Sequence, residues 1–154
     1  MNYLIMVLVA VCTIFTSIPS VADRTEDEAA IREVIEQSIA AFNRHDAKAL
    51  YSSSIEETED WSGTQKGRAA LENSIAEWFE QQKAIQEKQK AEIGIIFVTN
   101  DVAIYKFNLE HTGMIDGDGN PLPPSQSLIA FVFVKKDGRW LKVARFASPI
   151  EQQP

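Results

Sequence analysis

The feature that most constrains this chain is a two-residue Asp137-Gly138 step between two β-rich runs, within the stretch Gln126 to Ile150. Both turn residues of such a step must accept positive φ, so it predicts a tight antiparallel hairpin. The first run, Leu128 to Val134, is apolar at every position rather than at alternate ones. A strand with water on one side alternates, so both faces of this one are expected to be covered. Helices of the same domain would cover one face. A second copy of the chain is the simplest cover for the other.

The chain has 154 residues, enough for one domain with one core. Its first part reads as address rather than fold. Tyr3 to Ile18 is almost wholly apolar, Pro19 breaks the run, and Ser20-Val21-Ala22 offers the small residues a signal peptidase reads. Residues 1–22 are therefore expected to be a signal peptide, with residues 23–154 the mature domain, exported to the periplasm or secreted. The competing reading is an uncleaved N-terminal membrane anchor, because no Lys or Arg precedes the apolar run. Cys12 is the single cysteine, and Val9-Ala10-Val11 before it lacks the small residue of a lipidation site. The mature chain thus has no disulfide and no thiol nucleophile. A net charge of −7 with scattered Lys and Arg gives no basic stripe, which argues against nucleic acid as a partner.

Thr25-Glu26-Asp27-Glu28 has the form of a capping box and predicts a helix start there. Ile31, Val34, Ile35, Ile39 and Phe42 follow at the spacing of one buried stripe, to about Asn43. Asp46 is placed to cap a short helix, Ala47 to about Tyr51. A short strand is expected from Ile55 to Trp61, then a long helix from Arg68 that ends before Ala84. From Ile85 the period becomes two, with Gln86, Lys88, Lys90 and Glu92 on a wet face. Gly94 marks an expected bulge in this strand. Val102 to Thr112 puts Ala103, Tyr105, Phe107, Leu109 and His111 on one face of the next strand. Gly113 to Ser125 is an irregular loop, and the hairpin closes the chain. Helices first and an antiparallel sheet afterwards define an α+β fold.

Taken in this order, the pieces Asp27-Glu28-Ala29-Ala30-Ile31, Phe42-Asn43-Arg44-His45-Asp46, Lys66-Gly67-Arg68, Asp101-Val102-Ala103 and Asp137-Gly138-Arg139-Trp140 resemble the SnoaL-like domains of the nuclear transport factor 2-like superfamily. The resemblance spans nearly all of residues 23–154. It implies a cystatin-like cone: a curved antiparallel sheet wrapped round the N-terminal helices, a pocket at the open end, and a homodimer through the outer sheet face. It also implies a choice among cyclases, isomerases, dehydratases and non-catalytic binding domains, since fold alone does not select a function. The chain departs from many such domains in having no histidine between Trp140 and Ser148.

The residues themselves suggest a site. Asp60 beside Trp61 offers a carboxylate at the mouth of an apolar pocket, where burial raises a carboxylate's pKa and suits proton abstraction. It also sits in an acidic run with Glu56, Glu57 and Glu59, which reads equally as a solvated edge. His111 shares a face with Tyr105, Phe107 and Leu109 and is an acid, base or donor candidate; the alternative is a wet residue beside a loop. Arg145 on the last strand suits an anionic or polarised oxygen, or simply a neighbouring glutamate. Tyr51, Trp61, Trp78, Tyr105 and Phe131 are the candidate ligand-lining aromatics, each of which is also an ordinary core residue. His45 reads as a surface residue in a turn. Two histidines and no mature cysteine leave little for a metal site, and Pro121 and Ser127 break the pattern of a calcium loop at Asp116. No cofactor is expected. The functional expectation is a small apolar molecule with one polar group, bound in the pocket and, in the catalytic version, turned over by proton transfer; the alternative is a non-catalytic dimeric interaction module.

Overall fold

The computed structural model describes residues 21–61, 63 and 65–150. Residues 1–20 of the expected leader lie outside that set. The elements are α1 (Val21–Asn43), α2 (Ala47–Tyr51), β1 (Ser54–Asp60), α3 (Arg68–Gln81), β2 (Gln86–Phe97), β3 (Val102–Thr112), β4 (Ser125–Lys136) and β5 (Arg139–Pro149). They form an α+β fold whose single five-stranded sheet has the order β1-β5-β4-β3-β2.

The long helix α1 is held mostly by what its buried stripe covers. Ile31 and Ile35 are sealed against Tyr105, Phe107, Ile129 and Phe133 of the sheet. Burying an Ile of this kind contributes roughly 1.5–3 kcal/mol. The expected capping box at Thr25 does not start the helix, which already runs from Val21. Tertiary bonds carry its first turns instead. Asp27 accepts from Lys135 Nζ at 2.6 Å and from Trp140 Nε1 at 2.9 Å. Arg24 lies over the Phe97 ring at 4.2 Å.

At its other end α1 stops in a 6→1, 5→2 hydrogen-bonded turn. Asp46 N donates to Ala41 O and His45 N to Phe42 O, with His45 at φ 56°. His45 is half-buried rather than a surface residue. Its ring stacks on Phe79 at 4.6 Å, and Nε2 lies 3.2 Å from Ile85 O. Asp46 caps α2 through Ala49 N, as expected.

The hairpin forms as predicted, with Asp137 at φ 51° and Gly138 at φ 74°. The sheet is mixed, however, rather than wholly antiparallel. β1 runs parallel to β5 and takes up its open edge, with Lys142 N bonded to Ser53 O and Trp61 N to Arg145 O. Register shifts occur in β2 on either side of Ala91, the second at Gly94, and in the β4–β5 ladder beside Val132. Extra residues of this kind bend a strand and re-aim its side chains. Gly113, at φ 74°, passes so close to the chain that a Cβ there would lie 2.0 Å from Ala84 O.

Candidate functional site

Between α1, α2, α3 and the sheet lies a cavity of about 240 Å³ with largely apolar walls. Ile35, Ile39 and Phe42 of α1 form one wall, and Leu71, Ile75 and Trp78 of α3 face them. Phe107, Leu109, Ile129 and Phe131 form the floor. Three polar groupings are set into these walls.

The first is His111 with Glu87. His111 Nε2 lies 3.0 Å from Glu87 Oε1, with the side chains only 13% and 10% exposed. An ionised Glu87 accepts the Nε2 proton, which leaves the imidazole lone pair on Nδ1. Glu87 is fixed by the end of α1: Asn43 Nδ2 donates to Glu87 O at 2.9 Å, and Glu87 N donates to Asn43 Oδ1 at 2.6 Å. One side chain thereby closes both backbone bonds of the strand at this point.

The second is Asp60 with Arg145, whose Nη1 donates to Asp60 Oδ2 at 3.1 Å. The two residues are also register partners across β1 and β5. Asp60 is therefore ion-paired in a polar setting, not a lone carboxylate against apolar walls.

The third is Lys142, which is 2% exposed. Its Nζ donates to Leu50 O at 2.6 Å and to Ser38 Oγ at 2.7 Å, and Ser38 Oγ in turn donates to Val34 O. The rings of Phe131 and Tyr51 lie 5.7 and 5.8 Å from Nζ. Burial drives this amine down to about 7; the nearby Glu87 charge opposes that shift and Arg145 adds to it. Burial also pushes the Tyr51 phenol up to about 12, so it remains a neutral donor. Beside Lys142 across the β1–β5 ladder stands Ser54, whose buried Oγ has no hydrogen-bond partner among the described residues.

Of the sequence candidates, Asp60, His111, Arg145, Tyr51, Trp78 and Phe131 meet at this cavity. Trp61 and Tyr105 do not. Trp61 is 57% exposed and bonds Glu59 through Nε1, because β1 ends one residue earlier and the chain turns outward. Tyr105 is buried in the core on the far side of Phe107, its hydroxyl bonded to Gln89 and Glu92. Glu87, Ser54 and Lys142 were not anticipated. A signal existed for two of them: Glu87 shares parity with Ile85, and Lys142 with Trp140 and Ala144. Val143 is the extra residue between the pairs Val132–Ala144 and Phe133–Lys142, and it lets Lys142 and Arg145 both line the cavity. Among the described residues no cluster of three or more His, Cys, Asp or Glu is placed to hold a metal.

Comparison with known proteins agrees with this architecture. Residues 31–150 match the SnoaL-like domain family, and the chain belongs to it. Similar solved structures include a hexachlorocyclohexane dehydrochlorinase of Novosphingobium barchaimii, at TM-score 0.76 and 16% identity over 86% of this chain and 92% of that one. A ketosteroid isomerase-like protein of Erwinia carotovora atroseptica superimposes at TM-score 0.67 and 18% identity, over 82% of this chain and 98% of that one. An uncharacterised cystatin-like protein of Caulobacter vibrioides gives TM-score 0.73 at 14% identity, over 82% and 91%. No curated protein matches the sequence. At these identities the likeness is one of fold.

Proposed function

We propose that the cavity binds a small apolar molecule bearing one polar group and catalyses a cofactor-free proton transfer on it, as in an isomerisation or elimination. The observation that carries this reading is the buried His111–Glu87 pair at the edge of an apolar cavity. In this account His111 is the base, with Glu87 holding its tautomer. Arg145, oriented by Asp60, polarises the ligand's oxygen. Asp60 thus gives up the base role that the sequence suggested for it. A dehydrochlorinase and a ketosteroid isomerase-like protein among the structural neighbours are consistent with such chemistry.

The probe for proton abstraction is 5-nitrobenzisoxazole, an apolar molecule whose ring opens on loss of one proton. The wild-type chain should accelerate ring opening well beyond equimolar imidazole, and His111→Ala should lose at least about 100-fold, the usual share of a general base. A wild-type rate equal to that of imidazole, or an unchanged rate in His111→Ala, contradicts the proposal.

A second reading, a dimeric interaction module, draws on the exposed apolar residues Ile93, Ile96 and Phe146 of β2 and β5. In that reading a second copy docks on the outer sheet face. Export of the mature chain, from a leader ending at Ala22, belongs to both readings. N-terminal sequencing of the protein from its host tests it: a mature chain beginning at Asp23 is expected, and an intact Met1 contradicts it.

A further inference from the structure

We propose that Lys142 is a nucleophilic amine that forms a reversible imine with a small apolar aldehyde or ketone held in the cavity. This deepens the small-molecule reading and rests on it.

The geometry around Nζ is what distinguishes Lys142 from a surface lysine. Two of its N–H groups are committed, to Leu50 O and to Ser38 Oγ. Ser38 cannot be the donor in that pair, since its own proton goes to Val34 O. A neutral amine has one position left, and it is a lone pair. No carboxylate lies within ion-pair distance of Nζ among the described residues, unlike Lys66, Lys90 and Lys135, which each have one. Beside it stands Ser54, a residue 4% exposed that lines the cavity and whose buried hydroxyl has no hydrogen-bond partner among the described residues. An unsatisfied hydroxyl in a buried cavity is a cost that a ligand oxygen would relieve.

The step balances without an outside reagent. The Nζ lone pair adds to the carbonyl carbon, and the C=O π pair moves to oxygen, which takes a proton to give a carbinolamine. Ser54, the register partner of Lys142 and a wall of the same cavity, is the donor this step assigns to that oxygen. The carbinolamine then loses water: the C–O bond breaks, the C=N bond forms, and the two protons that leave nitrogen depart with the oxygen. The neutral imine so formed has no N–H; uptake of one proton from solvent gives the protonated imine, whose N–H is again available to Leu50 O. The titratable or charged groups facing Lys142 in the cavity are Tyr51 from α2, Glu59 and Asp60 from β1, Glu87 from β2, His111 from β3 and Arg145 from β5. The cavity residues of α1, α3 and β4 bring none. Burial outweighs them all and holds the amine near pH 7, so a large neutral fraction exists where a surface lysine has almost none.

Benzaldehyde with sodium cyanoborohydride traps an imine as a stable benzyl adduct. The full chain, treated across pH 6–9 and digested, should carry that adduct on Lys142 at least tenfold faster than on the exposed Lys88, with a half-maximal rate near pH 7. Labelling of Lys142 no faster than Lys88 overturns the proposal. Native mass spectrometry with benzyl alcohol, which has no carbonyl, separates the two layers of the argument. Benzyl alcohol retained without fast trapping at Lys142 rejects the imine and leaves the pocket standing. Neither retention nor trapping rejects both. Lys142→Met should abolish the fast adduct, and if that variant does not fold, the wild-type peptide map still decides.

Discussion

At the scale of single residues, Lys142 makes the sharpest claim. A lysine whose folded pKa lies near 7, below the 10.5 of the unfolded chain, binds fewer protons folded than unfolded between those values. Stability must therefore rise with pH across that window. Its cost is full below pH 7 and vanishes above the unfolded pKa. The slope is about 1.4 kcal/mol per pH unit. Denaturant unfolding at pH 7 and pH 9 should show the wild type gaining on Lys142→Met by about 2 to 3 kcal/mol. Parallel curves for the two proteins would place a charged, stably solvated ammonium at this site instead. Asn43 supports a second residue-level prediction. Asn43→Ala removes two hydrogen bonds to the backbone of Glu87, which should cost about 1–3 kcal/mol. It should also slow benzisoxazole opening by loosening Glu87 under His111, an effect that a purely structural residue would not have once melting is allowed for.

At the scale of elements, the period of the sequence decided what could be read from it. β3 alternates without interruption, and its buried set Ala103, Tyr105, Phe107 and Leu109 is the set that parity predicts. β4 and the Asp137-Gly138 turn were legible for the same local reason, since φ preference and hydrophobic runs are properties of neighbours in sequence. The start of α1 was not, because the bonds that hold its first turns come from Lys135 and Trp140, more than a hundred residues away. The candidate site was legible where side chains lie on regular stretches, as with His111 and Phe131. It was illegible where the register shifts. In β2 the bulge near Gly94 turns Ile93 outward, at 52% exposed, although it shares parity with the inward Ile95 and Phe97. In β5 parity with Trp140 turns Lys142 inward, but a single parity then sends Arg145 outward, and only the extra Val143 brings both to the cavity. Trp61 misled because one residue of strand separates a pocket wall from an exposed ring. The close passage at the β3 exit gives an element-level test. Gly113→Ala adds a Cβ against Ala84 O at a left-handed backbone position and should cost more than about 2 kcal/mol. A melting temperature within a degree of wild type would contradict the packing of that loop against the end of α3.

At the scale of the whole molecule, two surfaces compete to explain why the chain exists: the inner cavity and the outer sheet face. If the outer face pairs two copies, light scattering after gel filtration should give twice the chain mass, and Phe146→Glu should give a monomer with the cavity chemistry unaffected. A monomeric wild type removes the interaction-module reading. The cavity is the stronger claim, because an orphaned Ser54 hydroxyl, a buried amine and a buried His–Glu pair are costly to keep in a core that has no use for them. The most direct measurement is native mass spectrometry of the protein loaded with benzyl alcohol and related small aromatic alcohols, beside an Ile75→Trp variant that fills the space. We predict a one-to-one complex that is lost in Ile75→Trp while its melting temperature is kept. A wild-type chain that stays bare, or a complex that Ile75→Trp leaves untouched, would contradict the account.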